Sequence, residues 1–175
     1  MDQLQLFDVL AVEPAGDGAP PLDECAAVLP IDDAVERRFW QRVVKSSTCW
    51  WWVGAISTPD GYGRITWRRK NHQRALSAHR FALTIAAGAE IADEAVAEHL
   101  CNQPLCVRVG AGHLQVGTQA ENVAYAVATG RHRGPRLVSA TNRCSQSLAV
   151  RAYLLGGGDP DKVGQHTSRI EPTLF

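Results

Sequence analysis

The spacing of apolar residues predicts a helix near the start of the folded part of the chain. Three apolar residues recur at every fourth position: Val35, Phe39 and Val43. This interval places them on one face of a helix over residues 32–45. Asp32 or Asp33 stands before the apolar face and would cap the helix through its carboxylate.

Two β-strands and a second helix are predicted after this first helix. Residues 49–54 are rich in aromatic side chains and residues 62–67 are rich in aromatic and β-branched ones, and both compositions favour strands. Residues 59–61, Pro-Asp-Gly, are a turn signal, which predicts that the two strands pair as a hairpin. Residues 78–87 predict a helix that ends at Gly88.

The second half of the chain predicts two short strands followed by a helix. Residues 95–100 and 113–116 favour strands on either side of a loop that is rich in Cys, Pro and Gly. Thr118 and Glu121 then form the capping-box pattern, in which the two side chains bond the exposed backbone amides of a first helical turn. The helix that they begin is predicted to run through Ala128.

Charge is distributed unevenly along the chain, although the net charge is zero. Residues 1–36 contain nine acidic residues and no Lys or Arg. The remaining residues hold all 18 basic side chains and nine of the 18 acidic ones, which gives them a net charge of +9. A basic folded part fits a polyanionic partner such as DNA. The acidic N-terminal residues either form a solvated arm or shield that basic surface.

Neither export nor membrane insertion is predicted. No apolar run approaches the roughly 18 residues that a membrane helix needs, and the acidic N-terminus is unlike a signal peptide. We therefore expect a cytoplasmic protein with no membrane partner. The chain has five cysteines, and an odd number without an export signal favours reduced thiols or metal ligands over disulfides.

Four polar residues of the strand–strand–helix segment suit phosphodiester hydrolysis. They are Glu98, His99, His113 and Asn122. Glu98 and Asn122 carry the oxygen ligands that a hard cation such as Mg²⁺ prefers. His99 is suited to deprotonate a water molecule. Because each residue type taken alone is more often structural, the hypothesis depends on their order and on the capping box that precedes Asn122.

Several blocks of sequence, in the same order, resemble the HNH endonuclease family, in the branch found among phage and mobile-element endonucleases. The matching blocks are His99–Val107 (HLCNQPLCV), His113-Leu114, Gly117–Val123 (GTQAENV) and Gly130-Arg131, preceded by Cys49–Trp52, Gly61–Arg64 and Ala78–Arg80. The resemblance covers about residues 37–134.

The resemblance implies an α+β fold with a ββα-metal HNH nuclease core. A β-hairpin and a helix would precede this core, with a flexible N-terminal arm before them and a small helical region at the C-terminus. The corresponding divisions are residues 1–31 for the acidic arm, 32–134 for the HNH nuclease domain, and 135–175 for a basic linker and small helical tail. Residues 144–155 favour a helix in that tail, ended by three glycines.

A role for each of the four polar residues also follows from the resemblance. His99 takes the position of the general base, and His113 orients the strand–loop segment and that base rather than binding metal. Glu98 and Asn122 are the protein ligands of a catalytic Mg²⁺ or Mn²⁺ ion. Two features depart from the family: Glu98 stands where relatives usually carry Asp, and residues 107–112 form a longer link than usual. These departures leave a catalytically weak or inactive DNA-binding module as the alternative to an active endonuclease.

A structural zinc site is the second metal site that the resemblance implies. Related nucleases often hold the loop between the two strands with a zinc ion, which favours four Cys or His ligands. Cys101 and Cys106 lie in this loop, and Cys49 and His79 are the candidate third and fourth ligands. The alternative is that the two loop thiols are buried and reduced.

A set of basic residues in and after the second predicted strand is suited to contact DNA phosphates. These residues are Arg64, Arg68, Arg69, Lys70, Arg74 and Arg80, and Arg131 and Arg133 extend the set beyond the capping-box helix. Phosphate contacts give affinity that falls steeply with salt. The alternative is a solvated strand edge that is protected by its charge.

The residues Gln3-Leu4-Gln5-Leu6-Phe7 resemble the short peptide by which bacterial DNA-processing proteins bind the β sliding clamp. Leu6 and Phe7 would fill an apolar pocket, while the amide of Gln3 makes hydrogen bonds beside Leu4. The alternative is an arm that contacts its own domain.

Overall fold

The computed structural model describes residues 29–58, 60–129 and 136–164, with the backbone alone for 136–142. The predicted clamp-binding peptide, with Gln3, Leu4, Leu6 and Phe7, lies outside the described residues. So do Arg131 and Arg133.

The described residues form a mixed α+β structure, so the predicted class is confirmed. The helices are Asp33–Trp40 (α1), Ala78–Ala87 (α2), Gln119–Ala128 (α3) and Arg136–Leu155 (α4). The strands are Val43–Lys45 (β1), Trp50–Trp52 (β2), Ala55–Ile56 (β3), Gly63–Arg69 (β4), His72–Ser77 (β5), Val96–His99 (β6) and Leu114–Gly117 (β7). A 3-10 helix, Pro160–Lys162, follows α4.

The aromatic strand pairs differently from the prediction. β2 pairs antiparallel with β1, so the predicted hairpin of residues 49–54 with residues 62–67 is wrong. β4 pairs instead with the two-residue β3 and, over its whole length, with β5. The β4–β5 turn is closed by Lys70, whose φ of 53° lies in the left-handed region. The first helix ends at Trp40 rather than at residue 45, because the β-branched Val43 and Val44 join the sheet.

Three helix ends are observed where the sequence predicts them, each at a residue that caps the helix. The Asp32 side chain accepts a 2.9 Å hydrogen bond from the Val35 amide and so caps α1. The capping box of α3, built from Thr118 and Glu121, is complete. α2 ends at Gly88, whose φ of 66° is a left-handed conformation that glycine adopts without strain.

The core is built around Phe39, which has no exposed surface. Its ring lies 5.1 Å from that of Trp52 and 4.7 Å from that of Phe81, so it joins α1, β2 and α2. The same core includes Val150 and Val163. The core therefore contains residues from both sides of the division expected between residues 134 and 135.

The two-stranded β6–β7 sheet lies between α2 and α3. α2 contacts both strands, and α3 contacts β6. The Tyr125 hydroxyl on α3 donates a 2.9 Å hydrogen bond to the backbone carbonyl of Leu100, just after β6. Among the described residues, no helix combines the length and apolar character that crossing a membrane requires.

Replacing Phe39 with Ala is expected to lower the free energy of unfolding by about 3–5 kcal/mol, since the change opens a cavity among three aromatic rings. Urea unfolding followed by tryptophan fluorescence measures this loss. Val127→Ala is the control, because Val127 is 56% exposed on α3, and it should change the free energy by less than about 0.5 kcal/mol. Equal effects of the two substitutions would contradict the assignment of Phe39 to the centre of the core.

Candidate metal centre and catalytic residues

Four metal-binding side chains meet at one point of the fold. They are Cys49, Cys101, Cys106 and His113, whose potential ligand atoms all lie within 4.8 Å of one another. Cys49 and Cys106 are buried, and Cys101 and His113 are partly buried. Three of these residues lie in the segment between β6 and β7. Cys49 directly precedes β2.

Backbone pairing brings the ligands together from distant parts of the chain. The Trp52 amide donates to the carbonyl of Leu105, and the Val107 amide donates to that of Trp50, each at 2.8 Å. These bonds place Cys106 against β2 and therefore beside Cys49. At the other end of the loop, a 2.8 Å bond from the Leu100 amide to the His113 carbonyl extends the β6–β7 pairing.

The spacing of the ligand atoms suits a tetrahedral zinc ion. The Nδ1 atom of His113 lies 3.8 Å from the Sγ of Cys49 and 3.7 Å from the Sγ of Cys106. Tetrahedral zinc with ordinary Zn–S and Zn–N bonds separates such atoms by about 3.6 Å. The donor types and these two distances thus fit the ion, and the Cys₃His cluster can hold a metal such as zinc.

Hydrogen bonds among the three thiols shift their pKa values in opposite directions. Bonds from the thiols of Cys106 and Cys49 lower the pKa of Cys101. The bond to Cys101 raises the pKa of Cys49, and it also raises that of Cys106, to about 11. A bound metal would displace thiol protons from these residues, because cysteine binds a metal as the thiolate.

The fourth position of the cluster is occupied by His113 and not by His79, the residue proposed from the sequence. His79 is on α2, where its Nε2 lies 3.3 Å from the Oγ of Ser77. Its ring is 4.9 Å from that of His99, and burial lowers its pKa to about 3. The signal for His113 was present in the sequence, since it lies in the same short segment as Cys101 and Cys106.

The ring of His99 is fixed by a backbone carbonyl of the metal-centre loop. Its Nε2 lies 3.0 Å from the carbonyl oxygen of Cys106. A carbonyl oxygen only accepts, so Nε2 carries the proton and Nδ1 keeps a lone pair. Tyr62 stacks on the ring at 5.9 Å. Burial lowers the pKa of His99, which favours the neutral imidazole.

Glu98 faces the opposite side of β6 from His99. Successive strand residues point to opposite faces, and Glu98 lies opposite Gln115, whereas His99 lies opposite Leu114. The Gln115 amide donates to Oε2 of Glu98 at 3.0 Å. The second oxygen, Oε1, is buried and has no hydrogen-bond partner in the described part of the chain.

The face that carries Glu98 is next to the start of α3. A Cβ atom added at Gly117 would lie 3.2 Å from Oε2 of Glu98 and 3.5 Å from Oε2 of Glu121. Asn122 follows Glu121 in the opening turns of α3 and is partly buried. The fold thus directs Glu98 toward the helix end that carries Asn122, and His99 toward α2.

The basic residues proposed for DNA contact divide into two groups. Arg64 and Arg68 are exposed on the outer face of β4, and Arg69 and Lys70 are exposed at its end. The other two, Arg74 and Arg80, are used within the fold.

Arg74 makes two hydrogen bonds to the Glu90 carboxylate, at 2.7 and 2.8 Å, and its guanidinium lies 5.3 Å from the centroid of the Trp67 ring. Arg80 donates to the carbonyls of Ile91, Ala92 and Ala95. These contacts favour a structural role for both residues.

Arg143 is a cation beside Tyr62 that the sequence did not suggest. Its guanidinium lies 5.4 Å from the centroid of Tyr62, the ring that stacks on His99. It belongs to α4, and no local pattern links it to residues 62 and 99. It adds a positive charge next to Tyr62.

No family model, no curated protein and no solved structure matches this chain.

Metal analysis of the purified chain is expected to find one zinc ion per chain. His113→Ala and Cys101→Ser should lower the zinc content well below this value, because tetrahedral zinc loses a ligand. His79→Ala should keep it. Cys144→Ser is the matched thiol control, since Cys144 is buried outside the cluster. A chain that loses zinc through His79→Ala and keeps it through His113→Ala would overturn this ligand set.

Proposed function

We propose that this chain is a metal-dependent endonuclease of the HNH type that hydrolyses phosphodiester bonds in DNA, with β6, β7 and α3 as its ββα-metal core. The observation that carries the proposal is the environment of His99. Its Nε2–H is held by the Cys106 carbonyl, 3.0 Å away, beside the loop of the Cys₃His cluster. This contact leaves the Nδ1 atom of His99, the last residue of β6, to accept a proton.

His99 acts in this mechanism as the general base. Nδ1 takes a proton from a water molecule, the resulting hydroxide forms a P–O bond at the scissile phosphate, and the bond from phosphorus to the leaving oxygen breaks. Solvent supplies the proton that the leaving oxygen needs. The Cys106 carbonyl stabilises the imidazolium that forms, because it accepts from the ring nitrogen on the opposite side.

The catalytic divalent ion, Mg²⁺ or Mn²⁺, would be held by Glu98 and Asn122. The unpartnered Oε1 of Glu98 supports this assignment, because a buried carboxylate oxygen without a hydrogen bond is a suitable ligand for a hard cation. When bound, such an ion neutralises charge on the phosphate and the leaving oxygen. The Gln115 amide holds Oε2 at 3.0 Å and so limits the orientation of the carboxylate.

DNA binding is assigned to the exposed cations of the β4–β5 hairpin. Arg64 and Arg68 alternate with buried residues along β4, so both point outward from the same face. Arg69 and Lys70 extend the positive charge to the turn. Arg143 would add to it beside Tyr62. The peptide at residues 3–7 remains the proposed contact with the β sliding clamp.

A second candidate function is DNA binding without cleavage. The position of Glu98 favours it, since this carboxylate is only 3% exposed and lies on the face of β6 opposite His99. In that case the chain keeps the zinc centre and the basic hairpin, but no Mg²⁺ or Mn²⁺ ion lies where it could act together with His99. This candidate predicts salt-sensitive binding and no cleavage by the wild-type chain in Mg²⁺ or Mn²⁺.

His99→Ala is expected to reduce nicking of supercoiled plasmid in Mg²⁺ or Mn²⁺ by at least about 100-fold, the usual contribution of a general base. Its affinity for DNA should stay within about twofold, since the ring is a proton acceptor and not a phosphate contact. His72→Ala is the control, because His72 is exposed on β5. Undiminished cleavage by His99→Ala would rule out the proposed base.

The double substitution Arg68→Ala and Arg69→Ala is expected to reduce the slope of log affinity against log salt by about 2, because each phosphate contact releases about one counterion. Fluorescence anisotropy with a short duplex at several salt concentrations measures the slope. Arg74→Ala should leave the slope unchanged and lower the free energy of unfolding instead. An unchanged slope in the double variant would place the DNA surface elsewhere.

A further inference from the structure

The loop that carries Cys49 is held in place by the C-terminal end of the described chain. Oδ1 of Asp161, in the 3-10 helix, accepts hydrogen bonds from the Ser47 amide at 2.8 Å and from the Ser47 hydroxyl at 2.7 Å. Cys49 is two residues further along the chain. It is also the one ligand of the Cys₃His cluster that does not come from the β6–β7 segment.

The 3-10 helix is itself anchored on the domain. The Trp51 indole donates to the carbonyl of Pro160 at 3.1 Å, and Val163 is 1% exposed. The Arg151 side chain on α4 donates to the Val53 carbonyl at 3.0 Å. These contacts lie within β2 and just after it, so the C-terminal segment fixes the strand that follows Cys49 as well as the loop that precedes it.

A second support for the same loop comes from the metal-centre segment. The Arg108 guanidinium donates to the Ser47 carbonyl at 2.8 Å. The loop before Cys49 is therefore held between Arg108, two residues after Cys106, and Asp161. Without Asp161, the loop keeps the support from Arg108 and loses the one that comes from the C-terminal segment.

We propose that Asp161 is a positioning residue for the metal centre, and that zinc binding and docking of the C-terminal segment are thermodynamically coupled. The docked segment preorganises Cys49 among the other three ligands, so that less conformational freedom is lost when zinc binds. Reciprocity then requires that bound zinc stabilises the docked segment to the same degree. This inference is independent of any nuclease activity.

Zinc affinity tests the first half of the coupling. The full chain is stripped with a chelator and titrated with zinc against a chromogenic competitor. Asp161→Ala is expected to weaken zinc binding by about three- to tenfold, because it removes the two hydrogen bonds to Ser47 that hold the loop before Cys49. Asp161→Asn should restore part of the affinity, because its amide oxygen still accepts from Ser47. Lys162→Ala, on the same turn and 63% exposed, is the control and should match the wild type.

A double substitution separates positioning from general destabilisation. In a Cys49→Ala background the remaining three ligands no longer depend on the Ser47 loop, so adding Asp161→Ala should not weaken zinc binding further. Circular dichroism of each variant checks that it is folded. Should Asp161→Ala prove unfolded, Ser47→Ala, which removes only the hydroxyl bond, provides the same comparison with a smaller expected effect.

Hydrogen exchange tests the reciprocal half. In the wild-type chain, zinc should slow amide exchange in residues 159–164, and in Asp161→Ala this effect should be lost. Wild-type zinc affinity in Asp161→Ala, an equal loss in the Cys49→Ala background, or no zinc binding by the wild-type chain would each overturn the proposal.

Discussion

The site depends on two backbone hydrogen bonds that join β2 to residues 105–107. The amides of Trp52 and Val107 donate across this junction at 2.8 Å. They place the side chain of Cys106 in the metal cluster and, at the same time, turn its carbonyl toward Nε2 of His99. A single residue thus connects the metal centre to the proposed base, with its sulfur on one side and its backbone oxygen on the other.

The polar residues near this junction form separate groups with different chemistry. Soft sulfur ligands and one imidazole make a zinc-type site, whereas Glu98 offers a carboxylate oxygen on the other face of β6. Because β6 and β7 lie between α2 and α3, the sheet itself keeps the two groups apart. The sequence predicts that His113 orients the loop and the base rather than binding metal. The structure instead places its Nδ1 atom in the first group, among the candidate metal ligands.

Local chemistry explains what could be predicted from the sequence. The caps at Asp32, Gly88 and Thr118 act over three or four residues, so the sequence near them contains all the information needed. The partner of the aromatic strand was predicted wrongly, because the apolar spacing that includes Val43 predicts a helix over residues 43–45, which instead form β1 and pair with β2. The sequence alone does not show that His79, on α2, packs against His99 rather than beside the three cysteines.

The wide separation of the metal ligands along the chain has a consequence for synthesis. The four ligands extend from residue 49 to residue 113, and Asp161 lies almost fifty residues further on. A nascent chain leaving the ribosome presents Cys49 long before its partners, so the centre closes late and over a large loop, at a cost in chain entropy. Until residues 101–113 have emerged, the Cys49 thiol has none of its cluster partners beside it, and reducing surroundings are needed to protect it from oxidation.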